Sequence, residues 1–345
     1  MDVKSRSRRP ARSDQFSPHR LHGLRVSASS TLDYNGPTRM SSKLDELKQK
    51  SHWLSEYAAN VHSQCGEDGI AAKALRLIPS PTKWCVEFGA WDGRHLSNTL
   101  NLVANFAYRA VLIEADPKKF VELRYTYPHP DRAVFVNKIV GFDTDGLDSI
   151  LSSHPVPRDF DLLSIDIDGN DYHVWDRVEA YRPRLVLIEY NPTISNSVHF
   201  VQKKQPGLCE GASAAALVNL GKRKGYELIA VTLLNLLFVV SEHFALFGIA
   251  DNSLALMRDD AEVPHIFVGY NGHVRLAHGQ TTGCIKLPWH GLSLKENDVQ
   301  VLPPRLQKYP DLYTRFDRLL YQWHFGFQRP RQILRGILAW QRRGG

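Results

Sequence analysis

Between Lys83 and Val240 short apolar runs alternate with helix-patterned segments, and the joints between them are brief. Strands separated by helices cannot pair as hairpins; they build a parallel sheet whose two faces the helices cover. The runs that read as strands are 84–88, 110–114, 133–137, 161–166 and 184–189, with helices over 96–105, 117–126, 146–152, 171–180 and 212–224. Residues 226–232 and 236–240 read as a closing pair of strands joined by a short turn. The expected fold is α/β, a doubly wound, mostly parallel sheet of seven strands.

Three of these strands end in an acid, and that carries the functional reading. Glu114, Asp166 and Glu189, with Glu87 beside them, would line the carboxyl edge of the sheet, where α/β folds of this kind bind ligands. The first strand runs into Gly89 and Gly93 with Trp91 and Asp92 between them. The dinucleotide fingerprint wants three glycines as G-x-G-x-x-G, so a pyrophosphate finds less bare backbone here. A nucleoside cofactor without phosphates fits better, and a plain strand-to-helix turn is the other reading.

Each acid admits two roles. Glu114 ends the second strand, near the offset of roughly 20 residues at which a carboxylate takes ribose hydroxyls; the rival role, capping the next helix, already suits Asp116 and Pro117. Asp166 and Asp168 flank Ile167, so an extended segment puts both carboxylates on one side, one toward a cofactor ammonium and the other toward an acceptor. Glu189 is as well suited to a cap or buried ion pair as to catalysis. Glu67 and Asp68 either begin the helix over 69–78 or belong to a lid over the cofactor loop.

Composition narrows the classes. No apolar run reaches the roughly 18 residues that span a bilayer. The four cysteines, Cys65, Cys85, Cys209 and Cys284, form no C-x-x-C pair, so neither a disulfide framework nor a zinc site is suggested. A reduced, cytoplasmic setting is the default. The net charge of +7 is uneven: residues 1–50 carry +6, residues 305–345 carry +7 and the rest −6, so no basic groove crosses the body. Residues 1–40 are rich in Arg, Ser and Pro and poor in aliphatics, which reads as a disordered basic tail. Residues 41–82 read as a helical lead-in, 83–243 as the α/β domain, 244–308 as an irregular and β extension, and 309–345 as a basic amphipathic helical tail.

Five motifs in order, VEFGAWDG (86–93), VLIEADP (111–117), LDSIL (147–151), LLSIDIDGNDY (162–172) and LVLIEYNP (185–192), resemble the FkbM-type family of class I, Rossmann-like S-adenosyl-L-methionine (SAM)-dependent methyltransferases. The resemblance covers residues 63–243 and departs from the family at Asp168, where Glu is usual. It implies SAM as cofactor, with Gly89, Ala90, Gly93 and Asn98 among the residues around the methionine moiety and Glu87 beside them. It implies further that Glu114 and Ala115 hold the ribose, that Lys138 and Ile139 lie near adenine, and that Asp166 meets the methionine ammonium. The activity implied is O-methylation of a small-molecule or glycan-like acceptor. Asp168 is the first candidate for the base such an alcohol needs and His173 the second.

Other readings are weighed beside this one. Asp166, Asp168, Glu189 and Asn191 are hard oxygen ligands that could meet around a divalent ion, but the resemblance requires no metal and none is assigned. Asn191-Pro192-Thr193-Ile194 follows the wrong strand for the motif of methyltransferases acting on amino groups of nucleic acids and reads as a turn, so a nucleic-acid partner is not expected. Acceptor contacts fall by elimination to the loop 195–207, for which a surface connection is the alternative. Tyr270-Asn271-Gly272-His273 reads as a hairpin turn, while His265, His273, His278 and His290 match no metal spacing. The tail could lie on an anionic membrane or pack as a helix with its arginines in water. A non-catalytic SAM-binding module and an NAD-linked oxidoreductase remain as rival functions, and the oligomeric state is open.

Overall fold

The computed structural model describes residues 37–142 and 145–328. The chain divides into two units, Met1–Ser42 and Lys43–Gly345, and the second is described here. The disordered-tail reading falls, apart from residues 37–40 in the first helix, outside the described residues, as does the tail beyond residue 328.

Seven strands form one sheet: β1 (Trp84–Phe88), β2 (Arg109–Glu114), β3 (Ala133–Asn137), β4 (Leu162–Ile165), β5 (Leu185–Glu189), β6 (Tyr226–Val231) and β7 (Asn235–Val240). Their order is β3-β2-β1-β4-β5-β7-β6, with β7 antiparallel to both of its neighbours and the other pairings parallel. The doubly wound sheet of seven strands expected from the alternation is therefore present. Its central strands read Cys-Val-Glu-Phe, Ala-Val-Leu-Ile and Leu-Val-Leu-Ile because both faces are covered, and those side chains are buried.

The helices are α1 (Pro37–His52), α2 (Glu67–Leu77), α3 (Leu100–Phe106), α4 (Pro117–Thr126), α5 (Leu147–Leu151), α6 (Asp171–Arg177) and α7 (Ala214–Arg223). Local chemistry sets their ends. Asp116 accepts from the backbone N–H groups of Lys118 and Lys119 with Pro117 in the first turn, so α4 begins where that pair directs it. Ser213 caps α7 through the N–H of Ala216. The lead-in expected to be helical over 41–82 leaves α-geometry at His52, continues as a 3₁₀ turn, Trp53–Tyr57, and resumes as α2.

The helix expected from residue 96 starts only at Leu100. Leu96 sits at φ +57°, and Ser97, Asn98 and Thr99 are drawn onto the carboxylate of Glu87 instead of winding into a first turn.

Beyond the sheet come α8 (Leu254–Met257), an antiparallel three-stranded sheet of β8 (Pro264–Val268), β9 (Val274–His278) and β10 (Thr281–Thr282), and a separate hairpin of β11 (Cys284–Leu287) and β12 (Leu292–Lys295). The hairpin turn expected at 270–273 joins β8 to β9. Then follow α9 (Glu296–Val299) and α10 (Arg315–Gln328). No helix among the described residues is long and apolar enough to cross a membrane.

Candidate functional site

The strand order reverses between β1 and β4, and the crevice outside their carboxyl ends is where such sheets bind ligands. A cleft of about 560 Å³ opens there, within the range of roughly 300–1,000 Å³ usual for small-molecule sites. Glu87, Gly89, Ala90, Asn98, Glu114, Ala115, Lys138, Asp166 and Asp168 all line it, so nine of the residues singled out in the sequence meet in one place. Its lining is rich in acids: five carboxyl groups, those of Glu87, Glu114, Asp166, Asp168 and Glu189, face Lys138 and His95.

Gly89 closes the floor. It adopts φ +75°, and a Cβ there would meet the backbone of Asp166, so only a bare residue lets the ends of β1 and β4 come together. Glu114 stands at the end of β2, where Oε2 accepts from the N–H of Trp91 at 2.7 Å and Oε1 from that of Asp116 at 2.7 Å. Each oxygen keeps a second lone pair for a ligand.

Glu87 is differently employed. Its Oε1 accepts from the N–H of Asn98 at 2.8 Å and its Oε2 from the hydroxyls of Ser97 at 2.8 Å and Thr99 at 2.6 Å. This carboxylate holds the loop after β1 in shape and has little left to offer a ligand. Burial pushes its pKa up, while the bonds from Thr99, Asn98 and Ser97 pull the other way.

The turn after β4 is built by Asp171, which the sequence reading passed over. Its Oδ1 accepts from the N–H of Ile167 at 2.9 Å and its Oδ2 from that of Gly169 at 2.8 Å. Held between those bonds, Asp168 takes φ +56°, a conformation that Asp accommodates better than most residues, and its side chain is exposed. Carboxylate oxygens of Asp166, Asp168 and Glu189 lie within 4.8 Å of one another. Burial, then the charges of Asp171 and Asp168, push the Asp166 pKa far up, and burial together with Asp166 does the same to Glu189. These are three hard ligands of the kind a divalent cation takes. Asn191 is not a fourth, because its Oδ1 accepts from Thr193 and its Nδ2 donates to the carbonyl of Glu210.

A second cavity, of about 340 Å³, adjoins the first. Asp168, Glu189 and Trp289 line both, so the two share a wall. Cys209, Glu210 and His290 line the second alone. Trp289 and His290 come from the tip of the β11–β12 hairpin, about a hundred residues beyond Glu189; His290 is weighed in the sequence only as a metal ligand, and nothing in the local pattern marks Trp289.

Three singled-out residues are elsewhere. His173 is turned away on α6: Nε2 meets the carbonyl of Gln202 at 2.9 Å, the ring lies against Phe142 and Tyr172, and it lines neither cavity. Ile139 is exposed outside the cleft while Lys138 and Val140 line it, as the alternation of an extended chain requires. Gly93 packs on the core, where a Cβ would lie 2.4 Å from Leu123 and 2.8 Å from Tyr127.

The loop 195–207 lines neither cavity. Asp260 takes the Ser195 hydroxyl and the Asn196 N–H, and Gln202 Oε1 accepts from Glu210 and Gly211, so the loop folds back and leaves 209–211 at the wall. Glu67 and Asp68 do begin α2, and both are buried. Glu67 Oε1 accepts from Thr232 and Asn235, and Asp68 Oδ2 from the N–H groups of Val61, His62 and Ser63, so they pin the lead-in to the sheet.

No family model and no curated protein sequence matches the chain. Several solved structures are similar to parts of it. A TehB-like SAM-dependent methyltransferase from Corynebacterium glutamicum is 13% identical with a TM-score of 0.32, over 58% of this chain and 99% of that one. The O-methyltransferase from Bacillus cereus, in complex with SAH, is 18% identical with a TM-score of 0.31, over 46% and 71%. A putative O-methyltransferase from Klebsiella pneumoniae is 14% identical with a TM-score of 0.34, over 57% and 89%. Likeness at this level says nothing of what the chain binds or does.

Proposed function

We propose that the chain is a SAM-dependent methyltransferase of the FkbM type that methylates a hydroxyl of a small or glycan-like acceptor. The observation that carries this reading is the cleft at the strand switch point, where a glycine floor, the acid ending β2 and a cluster of carboxylates face one space. SAM is a cation at its sulfonium and its ammonium, and a cleft lined by Glu114 and Asp168, together with Asp166, suits it. A dinucleotide would bring two phosphates against the same acids.

In this reading Glu114 takes the ribose hydroxyls on its unused lone pairs, Asp166 meets the ammonium, and Lys138 with Val140 borders the adenine. Glu87 keeps the loop that shapes the methionine end. When bound, the cofactor supplies a methyl group already activated by its sulfonium, so the chain's task is to hold an acceptor oxygen in line and receive its proton. Asp168 takes both roles in this reading, and its position supports them. It is exposed on the wall shared by the two cavities, and its turn is fixed by Asp171.

The second cavity then takes the acceptor, with Trp289 as an apolar wall and Glu210 and Asn191 as hydrogen-bonding groups. It is lined by Asp168, Asp171, Glu189 and Glu210 and, among the described residues, by no lysine or arginine. Acceptors bearing phosphate or carboxylate are therefore disfavoured, and neutral or amino-bearing hydroxyl compounds fit.

The test is transfer of labelled methyl from SAM into polar metabolite fractions, with the product identified as a methyl ether. Asp168→Asn should lower transfer by about a hundredfold or more and leave binding of S-adenosylhomocysteine (SAH) within a few-fold. Unchanged transfer in that variant removes Asp168 as the base. Binding without transfer to any hydroxyl compound leaves the non-catalytic module.

A further inference from the structure

Helix α10 is tied to the segment just before it through its one buried acid. Asp317, fully buried, accepts from Arg305 Nε at 2.7 Å, Lys308 Nζ at 2.8 Å, and the Thr314 hydroxyl and N–H at 2.7 and 2.8 Å. The face carrying Asp317 is thus turned toward residues 305–314. Phe316, Leu319 and Trp323 recur at the spacing of one helix face and are 59%, 64% and 64% exposed. Leu312, just before the helix, is 65% exposed. Single exposed apolar side chains are ordinary, but a stripe of this size marks an interaction surface.

Charge selects the partner. Arg315 and Arg318 flank the stripe, and the Arg305 guanidinium lies 4.8 Å from the centre of the Phe316 ring. From residue 315 to residue 345 the sequence carries seven arginines and one acid, and that acid, Asp317, is already paired with Arg305 and Lys308. A second copy of the chain would set these positive charges against one another. RNA would pair with the arginines and stack on the two aromatic rings, but offers no place for the aliphatic Leu312 and Leu319. An anionic lipid surface accepts both, since phospholipid headgroups meet the arginines while Phe, Leu and Trp enter the headgroup boundary.

We propose that the outward face of α10 docks the chain on an anionic bilayer, with the helix lying along the surface. The test is flotation of the full chain with vesicles of phosphatidylcholine alone and of phosphatidylcholine mixed with phosphatidylserine. The chain should rise only with the mixed vesicles, and less so as salt shortens the range of the attraction. Arg315→Gln and Arg318→Gln should each weaken it by about fivefold, and the pair Phe316→Ser and Leu319→Ser should abolish it. Circular dichroism of that double variant should match the parent, because both side chains are surface groups.

Equal flotation with neutral vesicles, none with either, or flotation unmoved by the double variant overturns the proposal. So does a concentration-dependent dimer that the double variant dissolves, which makes the face a contact between copies. Displacement from mixed vesicles by single-stranded RNA, with the double variant binding that RNA as the parent does, makes the arginines a nucleic-acid site and overturns it equally.

Discussion

A Cβ at residue 89 would stand 1.7 Å from the backbone carbonyl oxygen of Asp166. β1 and β4 pair in register up to Phe88 and Ile165, so neither strand end can retreat without breaking the ladder beneath it. Gly89→Ala adds left-handed backbone strain of about 1–3 kcal/mol to that collision. The variant should melt several degrees lower and bind SAH at least about tenfold more weakly, as read by thermal denaturation and calorimetry. Parental affinity in Gly89→Ala would show that the two strand ends do not form the cofactor floor.

In the proposed reading Asp171 acts through Asp168. Asn at 171 keeps one acceptor for the N–H groups of Ile167 and Gly169 and turns an NH₂ toward the other, leaving a buried donor unpaired at a cost of about 1–3 kcal/mol. Asp171→Asn should therefore lower kcat by about tenfold to a hundredfold through misplacement of the base, with the KM for SAM nearly unchanged. A proportional loss in SAM affinity would assign Asp171 to cofactor binding instead.

How far the sequence spoke is visible at these residues. Trp84–Phe88 and Ala133–Asn137 were read to the residue because apolar runs bounded by turn residues have few other solutions, and α4 because Asp116-Pro117 is a start signal in itself. Acids at strand ends converged because a parallel sheet brings its carboxyl ends to one edge. Local pattern failed where distant chain intervened. Glu87 drew Ser97 to Thr99 out of the expected helix, the facing of α6 turned His173 to Gln202, and Asp260 held the predicted acceptor loop away. Trp289 reaches the shared wall from a separate hairpin, a relation that no spacing in the sequence encodes.

Stability should fall as pH rises through the neutral range, because of Glu189. Burial first, then Asp166, Asp171 and Asp168, push its carboxyl up to about 9, whereas in an unfolded chain it titrates near about 4.3. Between those values the folded state binds more protons than the unfolded one, so stability is highest below the lower value, declines across the interval and levels off above the upper. Glu189→Gln removes this contribution. Its melting temperature should decline less than that of the parent between about pH 5 and pH 9. Parallel curves for the two would contradict a carboxyl held protonated at the shared wall.

The second cavity can be blocked from its rim. Cys209 is exposed and lines that cavity alone, while Cys85 is buried and Cys65 and Cys284 are partly covered. Alkylation with N-ethylmaleimide should stop methyl transfer and spare SAH binding, and Cys209→Ser should restore transfer in the presence of the reagent. Transfer that survives complete modification of Cys209 would move the acceptor site elsewhere.

The most direct measurement is calorimetric titration of the full chain with SAH and, separately, with NAD. Saturable one-to-one binding of SAH, weakened by Glu114→Gln and absent for NAD, is the expected result. Saturable NAD binding with no heat from SAH would contradict the reading of the cleft between β1 and β4 as a methyl-donor site.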